Sequence, residues 1–369
     1  MRIAYVNANY QKNHTGGGHV HIEQFISNAI NLGHEVWVYP GDQYPGAQII
    51  PTSRLAHIHT MRHMDALYVR LENRSPEICS WSLPPRRILY RFPVITWEFN
   101  TLPDELDSSI STQDRKSSTS RILEKYSPGC DLAVCVSPAL AMIVNEKLKT
   151  KKVITVPNGS DPDKFTPDAP VVQRLSPFKD KFNVIWMGSI KEAWHDLEML
   201  KGAARLISNS GEAKDIQFHI LGAGLTGVMG EMPPNVFYWG AEYYDKLPNW
   251  LSGMNVGLSL YKPSRATLGS PLKIFDYMAS GLTVVSTEHP VAADLFSTLG
   301  CTDLVIPHGD SDVLATAITD LANNRDRVRS LGLAGRQLVT EKYTWRRAVQ
   351  DTMTEIERLL KEKGKVPKA

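Results

Sequence analysis

Residues 255–287 read NVGLSLYKPSRATLGSPLKIFDYMASGLTVVST and gather the groups best suited to chemistry. An apolar strand, 255–260, runs into a polar loop, 262–269, and then into a helix that Gly281 closes. Ser270 is a good N-cap, and Pro271 suits the first helical position, where its missing N–H costs nothing. That register puts Lys273 at the third position, where a capping box would carry Glu or Gln. A cation at the positive end of a helix dipole is unfavourable by a few tenths to about 1 kcal/mol unless an anion binds there. A helix N-terminus with a lysine in its first turn is a phosphate site. Asp276, one turn on, is placed to accept from ribose hydroxyls. A well-capped structural helix with a solvated Lys273 and Asp276 explains the same residues, and their types and spacing do not choose between the two.

Three other segments hold candidate groups. Gly16-Gly17-Gly18 follows the first strand and opens onto a helix, so its amides can approach a phosphate. A flexible loop would look the same, and some ten residues separate it from the strand, unlike the tight turn of a dinucleotide fingerprint. Gly188-Ser189-Ile190-Lys191 follows the first strand of the second half. There Lys191 faces a ligand crevice or, somewhat better by default, only solvent. Asp196, after Trp194 and His195, reads as a helix cap. Glu98 and Asn100, in ITWEFN, end a strand of the first half and so reach the crevice rim. His57, His59 and His63 fall in a segment, 51–63, that reads as a loop with no acid or thiol at matching spacing, so they are not taken as metal ligands. No Ser-His-Asp order, His-Glu-x-x-His or Walker loop is present.

The elements that must position these groups come from a chain of 369 residues, 42% hydrophobic and 22% charged, which is the composition of a folded globular protein. Lysine and arginine total 41 against 39 acids, so nucleic acid is not an expected partner, while a local basic face against a membrane is compatible. Four cysteines with no Cys-x-x-Cys pair do not make a disulfide framework. No secretory leader and no membrane-length apolar run is read, so the expected place is the cytoplasm, including the inner membrane surface. Apolar runs at 2–7, 35–39, 66–69, 94–97, 132–136 and 153–156 alternate with helical patterns. After a Pro- and Asp-rich break at 157–170, runs at 183–187, 217–221, 236–239, 256–260, 283–286 and 303–305 repeat the alternation. Alternating strands and helices give an α/β fold of two doubly wound, mostly parallel sheets. A charged helical pattern spans 325–361.

Taken together, GGGH with GHEVWVY, then CDLAVCVSPAL, VITVPNGSDPDKF, WMGSI, NVFYWGAEYYDKLPNWLSGMNVGLSLY and SPLKIFDYMASGLTVV resemble, in order and along nearly the whole chain, the family 4 retaining glycosyltransferases of the GT-B fold. The Pro-Leu-Lys and Trp-x-Asp style is similar to a subgroup acting on polysaccharides, teichuronic-acid-type polymers or lipid-linked glycans. The resemblance implies two facing Rossmann-like domains: 1–165 for the acceptor, 166–343 for the nucleotide-sugar donor, and 344–369 as a helix crossing back to the first. It implies hexose transfer from a UDP- or GDP-sugar to a hydroxyl of a sugar, glycan or glycolipid, with retention and with no metal or other cofactor. Donor residues carried over are Gly16, Gly17, Gly18, Gly188, Ser189, Lys191, Arg265, Ser270, Pro271, Leu272, Lys273 and Asp276. Glu98 and Asn100 would hold the acceptor, with Glu98 and Lys273 catalytic. The sequence departs from the pattern at Leu268, where the first of two spaced glutamates is usual, and at Ser189 and Trp194, where an arginine and a lysine are usual. A non-catalytic two-domain sugar- or nucleotide-binding protein and a GT-B nucleotide-sugar epimerase are the competing readings.

Overall fold

The computed structural model describes residues 1–6, 17–39, 44–71, 79–83, 85–101, 113–190, 192, 194–211, 215–224, 231–263 and 268–366, with the backbone alone over 113–119. Gly16, Lys191 and Arg265 lie outside the described residues. Seven strands form the first sheet: β1 (Arg2–Val6), β2 (Glu35–Tyr39), β3 (Gln48–Ile49), β4 (Ala66–Arg70), β5 (Val94–Phe99), β6 (Leu132–Cys135) and β7 (Val153–Thr155). Their order is β3-β2-β1-β4-β5-β6-β7, and each pairing is parallel. Six form the second: β8 (Phe182–Met187), β9 (Ile216–Leu221), β10 (Val236–Tyr238), β11 (Val256–Ser259), β12 (Thr283–Thr287) and β13 (Val305–Ile306). Their order is β10-β9-β8-β11-β12-β13, again parallel throughout. In each sheet the strand order reverses beside the first strand, between β1 and β4 and between β8 and β11. Crevices for ligands open outside the carboxyl ends of strands at such reversals.

The strands read as continuous apolar runs because both faces of each sheet are covered. In β1 the two-residue period sends Ile3 and Tyr5 to one face and Ala4 and Val6 to the other. The first face is covered by helix Gly17–Asn31 and by the last helix, Trp345–Glu362. That last helix buries Trp345, Val349, Met353, Ile356, Leu359 and Leu360. Burial of each such side chain is worth about 1.5–3 kcal/mol, so this chain end is a structural member of the first half.

One reading of the sequence needs correction here. Residues 51–63 are not a loop: Arg54–Arg62 is a helix. It was hidden because His57 occupies a core position, its Nδ1 3.1 Å from the Pro51 carbonyl and its ring against Tyr39, Trp81 and Tyr90. The helical pattern over 325–361 divides into two helices, Arg325–Lys342 and Trp345–Glu362, the second starting where the last helix was expected. The break is enforced where the two strands of chain joining the halves meet. Ser160 N–H donates to the Tyr343 carbonyl at 3.0 Å, and Trp345 N–H donates to the Ser160 carbonyl at 3.0 Å. A Cβ on Gly159 would stand 2.6 Å from the Thr344 carbonyl carbon, so only glycine allows this crossing. Among the described residues no helix is long and apolar enough to cross a membrane.

Candidate functional site

The two strand-order reversals face one another across a cavity of about 220 Å³. From the first half it is lined by Gly17, Gly18, His21, Arg70, Asn100 and Thr101, and from the linker by Asn158. From the second half come Trp194, Tyr261, Gly269, Ser270, Pro271, Leu272 and His289. None of these described lining residues is acidic. Two helix starts, Gly17 and Leu272, meet here, and each presents amides without intrahelical partners. A Cβ on Gly17 would lie 3.0 Å from Leu272 Cδ1 across the cleft. Glycine therefore lets the two helix ends approach, and their partial positive charges add.

The start of the second helix differs from the expected capping. The helix is Leu272–Ala279, and Pro271 is its N-cap residue. Ser270 lies one residue earlier and makes no cap; its buried hydroxyl has no hydrogen-bond partner among the described residues. Its carbonyl instead accepts from Asn158 Nδ2 at 2.7 Å. Lys273 is thereby the second helical residue, and it is 8% exposed rather than solvated. Its Nζ has no hydrogen-bond partner among the described residues and sits 4.6 Å from the Trp186 ring centre and 5.4 Å from that of Tyr261. Burial lowers its pKa from 10.5 to about 7. The amine is behind the cavity wall, not in it. A Cβ on Gly188 would fall 3.1 Å from Nζ and 3.0 Å from the Trp186 ring, so the glycine leaves room beside the amine. The Ser189 carbonyl is 2.8 Å from His195 Nδ1, which fixes the turn after β8.

Glu98 is not a rim carboxylate. It is 1% exposed and lies beneath the cavity floor. Tyr68 Oη donates to its Oε2 at 2.8 Å; Arg70 Nη1 and Asn100 Nδ2 donate to its Oε1 at 3.2 and 2.6 Å. Burial pushes its pKa up, but His21, Arg70, Asn100 and Tyr68 together outweigh that, and it lies below the usual glutamate value. His21 Nδ1 approaches Glu98 Oε1 at 3.2 Å without hydrogen-bond geometry. Burial takes the ring's pKa down to about 4, so at neutral pH an uncharged imidazole faces the carboxylate, and the ring becomes charged only in the acid range. The carboxylate's task here is to hold Arg70 and Asn100, which do line the cavity.

Asp276 also leaves the expected place. It is 2% exposed and does not line the cavity. Its Oδ1 accepts from Ser160 Oγ at 2.6 Å and from Tyr244 Oη at 3.1 Å. Burial raises its pKa to about 7, more than those two hydrogen bonds lower it. Asp276 thus ties the helix Leu272–Ala279 to the crossing point of the two halves.

Of the expected residues, Gly17, Gly18, Asn100, Ser270, Pro271 and Leu272 share the cavity, with Lys273 and Gly188 just behind it. The sequence reading missed His21, Arg70, Asn158, Tyr261 and His289. Arg70 had a signal: it is the last residue of a strand next to β1, at a reversal point. Asn158 was read only as part of a turn-rich break. His21 and His289 were not singled out; His289 caps its helix by accepting from Val291 N–H.

Residues 181–324 match the sequence model of a family described as Glycosyl transferases group 1, which covers most of the second half. No curated protein matches the chain by sequence. Solved structures match over nearly all of it. Sucrose-phosphate synthase from Thermosynechococcus elongatus is 16% identical with a TM-score of 0.71, covering 98% of this chain and 99% of that one. Anabaena HepE, in complex with UDP and glucose, is 12% identical with a TM-score of 0.72, covering 97% and 100%. A trehalose-6-phosphate synthase is 12% identical with a TM-score of 0.67, covering 97% and 99%. The fold is GT-B. At these identities the structural matches speak for the architecture, and the site must be argued from its own residues.

Proposed function

We propose that this chain is a retaining glycosyltransferase that moves a hexose from a nucleoside diphosphate sugar to a hydroxyl acceptor. The observation that carries this reading is the cleft. Two helix N-termini converge there with Arg70, its described lining holds no carboxylate, and a buried amine without a hydrogen-bond partner among the described residues lies next to it. A site of that kind is complementary to a diphosphate. The family match of the second half and the UDP seen in HepE support the same ligand class.

In this reading the donor's diphosphate lies against Gly17, Gly18 and the Ser270–Leu272 turn, with Lys273 reaching it past Gly188. The bond from the anomeric carbon to the phosphate oxygen breaks as the acceptor oxygen joins the same face. The acceptor proton passes to the departing phosphate oxygen, so no covalent nucleophile is required. Fixed dipoles and cations in a dry cleft stabilise the charge that develops on the diphosphate. The neutral His21 and the amides of Asn100 and Asn158 offer donors and acceptors to sugar hydroxyls. The first half holds the acceptor, which the resemblance places among glycans or lipid-linked sugars. The diphosphate charge is met by these groups, so the reaction proceeds without a divalent ion. Lys191 and Arg265 are kept as further donor contacts by resemblance alone. Glu98 and Asp276 are positioning residues.

The test is nucleotide release from a panel of UDP- and GDP-sugars, with the anomeric configuration of the product read by NMR. Transfer with retention is expected. Binding without release would make the chain a non-catalytic receptor. A product that is itself a nucleotide sugar would make it an epimerase, and an inverted product would overturn the mechanism.

A further inference from the structure

On the first half, away from the cleft residues, two neighbouring helices carry an unusual surface. Helix Arg54–Arg62 and helix Arg86–Tyr90 pack together, and Arg62 Nε donates to the Leu89 carbonyl at 2.8 Å. Leu55 is 83% exposed, Ile88 68% and Leu89 37%. Arg54, Arg62, Arg86 and Arg91 surround them and are exposed, as are His59 and His63. Arg87 is not part of this set, because its guanidinium turns inward to Asp131 at 2.7 Å. Neither 51–64 nor 80–93 contains an aspartate or glutamate. The chain as a whole is almost neutral, at a formal charge of +2, so these arginines are concentrated on one face and are not a sample of a basic protein.

We propose that this face docks on the surface of an anionic lipid bilayer. The charge pattern selects a negative partner, and the exposed leucines and isoleucine select one with an apolar layer beneath its charges. A nucleic acid offers nothing to Leu55 or Ile88. The headgroup region of a bilayer takes both, with aliphatic tips in the acyl boundary and guanidinium groups among phosphates. The core beneath the face is already complete: Met61, Trp81, Tyr90 and Phe92 fill it, so the exposed residues are surplus to folding. The proposal is independent of the activity proposed above, since its readout needs no turnover.

Vesicle flotation tests it with the full chain. Binding is expected to phosphatidylcholine vesicles containing about 30% phosphatidylglycerol, and not to phosphatidylcholine alone. Replacing Arg54 or Arg86 by alanine should weaken partitioning about fivefold each, the effect of one basic residue at such a surface. Roughly 0.5 M salt should weaken it further, because screening shortens the reach of the charges. Leu55→Glu with Ile88→Glu should abolish flotation while circular dichroism and melting stay as in the wild type, because both residues are exposed. Equal binding to neutral vesicles, or wild-type flotation by the Leu55→Glu/Ile88→Glu variant, would overturn the proposal. So would a wild-type dimer that this variant converts to a monomer, since the face would then be an interface between copies.

Discussion

Lys273→Met should stabilise the unliganded protein and cripple it as an enzyme. Methionine fills most of the space of the lysine stem, one heavy atom shorter, and removes a charge that is 8% exposed and has no hydrogen-bond partner among the described residues. The fall of the lysine pKa from 10.5 to about 7 comes from burial. At 1.36 kcal/mol per unit it corresponds to a cost of roughly 5 kcal/mol for holding the ammonium in place, reduced by whatever the two rings return. Between pH 7 and 10.5 the unfolded chain binds one proton more than the folded chain at this site, so wild-type stability from this group rises with pH across that window. Below pH 7 both states are protonated and the cost is constant. The variant should melt higher than wild type at pH 7, and the gap should close toward pH 10. With donor saturating, its turnover should fall about a hundred- to a thousandfold, the scale of losing one group aimed at developing charge. Nucleoside diphosphate binding by the wild type should take up a proton near pH 8, which calorimetry in buffers of different ionisation enthalpy reads directly. Thermal melts over pH and a nucleotide-release assay complete the test. A variant that melts lower than wild type, or that turns over at the wild-type rate, would refute the idea that this amine waits for a phosphate.

Glu98→Gln removes one charged partner of the buried Arg70 and should cost about 1.5–3 kcal/mol of stability, the scale of a hydrogen bond to a charged group. Because the Glu98 carboxyl is held below 4.5, its contribution is present at neutral pH and lost as the pH falls below that value, so the acid limb of the melting curve should flatten in the variant. Asp276→Asn keeps an acceptor for Ser160 and Tyr244, so nucleoside diphosphate affinity should stay within about twofold; a loss of the size of a charge-assisted hydrogen bond, about 1.5–3 kcal/mol, would return Asp276 to the ribose. The raised pKa of Asp276 makes wild-type stability fall as pH rises from 3.8 to about 7, and the asparagine variant should lack that slope in pH-dependent melting. Chelation by EDTA should leave turnover unchanged; loss restored by magnesium or manganese would show that a divalent ion, rather than Lys273 and the helix ends, carries the diphosphate charge.

The fold was legible because parallel strands covered on both faces write themselves as apolar runs, and because Gly33 and Gly281 mark where helices stop. The short strand Gln48–Ile49 was not legible, since two exposed residues make no pattern. The site was legible where a local rule applies: glycines at a helix start, and a helix beginning close to Pro271, one residue later than expected. It was not legible where partners come from far along the chain. Asp276 looked like a ribose ligand because Ser160, which takes its carboxylate, is 116 positions away. Glu98 looked like a rim group because it is one residue from the end of β5. Nothing local showed that Arg70, on the adjoining strand and 28 positions earlier, would cover it. Arg70, Asn158, Tyr261 and His289 become one site only when the two halves meet.

That meeting is itself held by the loop preceding the helix Leu272–Ala279. Leu268, from the second half, is 8% exposed and joins the core of the first half. Its carbonyl accepts from Ser137 Oγ at 2.7 Å, and two residues on the Ser270 carbonyl accepts from Asn158. Gly17 then meets Leu272. These contacts hold the halves together beside the cavity of about 220 Å³. Leu268 thus bridges the halves beside the cleft, while Ser160 and Thr344 mark where both connections between the halves cross. This also accounts for the departure noted in the sequence. The resemblance leads one to expect a glutamate at position 268, but a carboxylate could not be seated in an apolar core without several kcal/mol of desolvation. Leucine at this position and an apolar socket on the first half belong together, so a change at one predicts a matching change at the other.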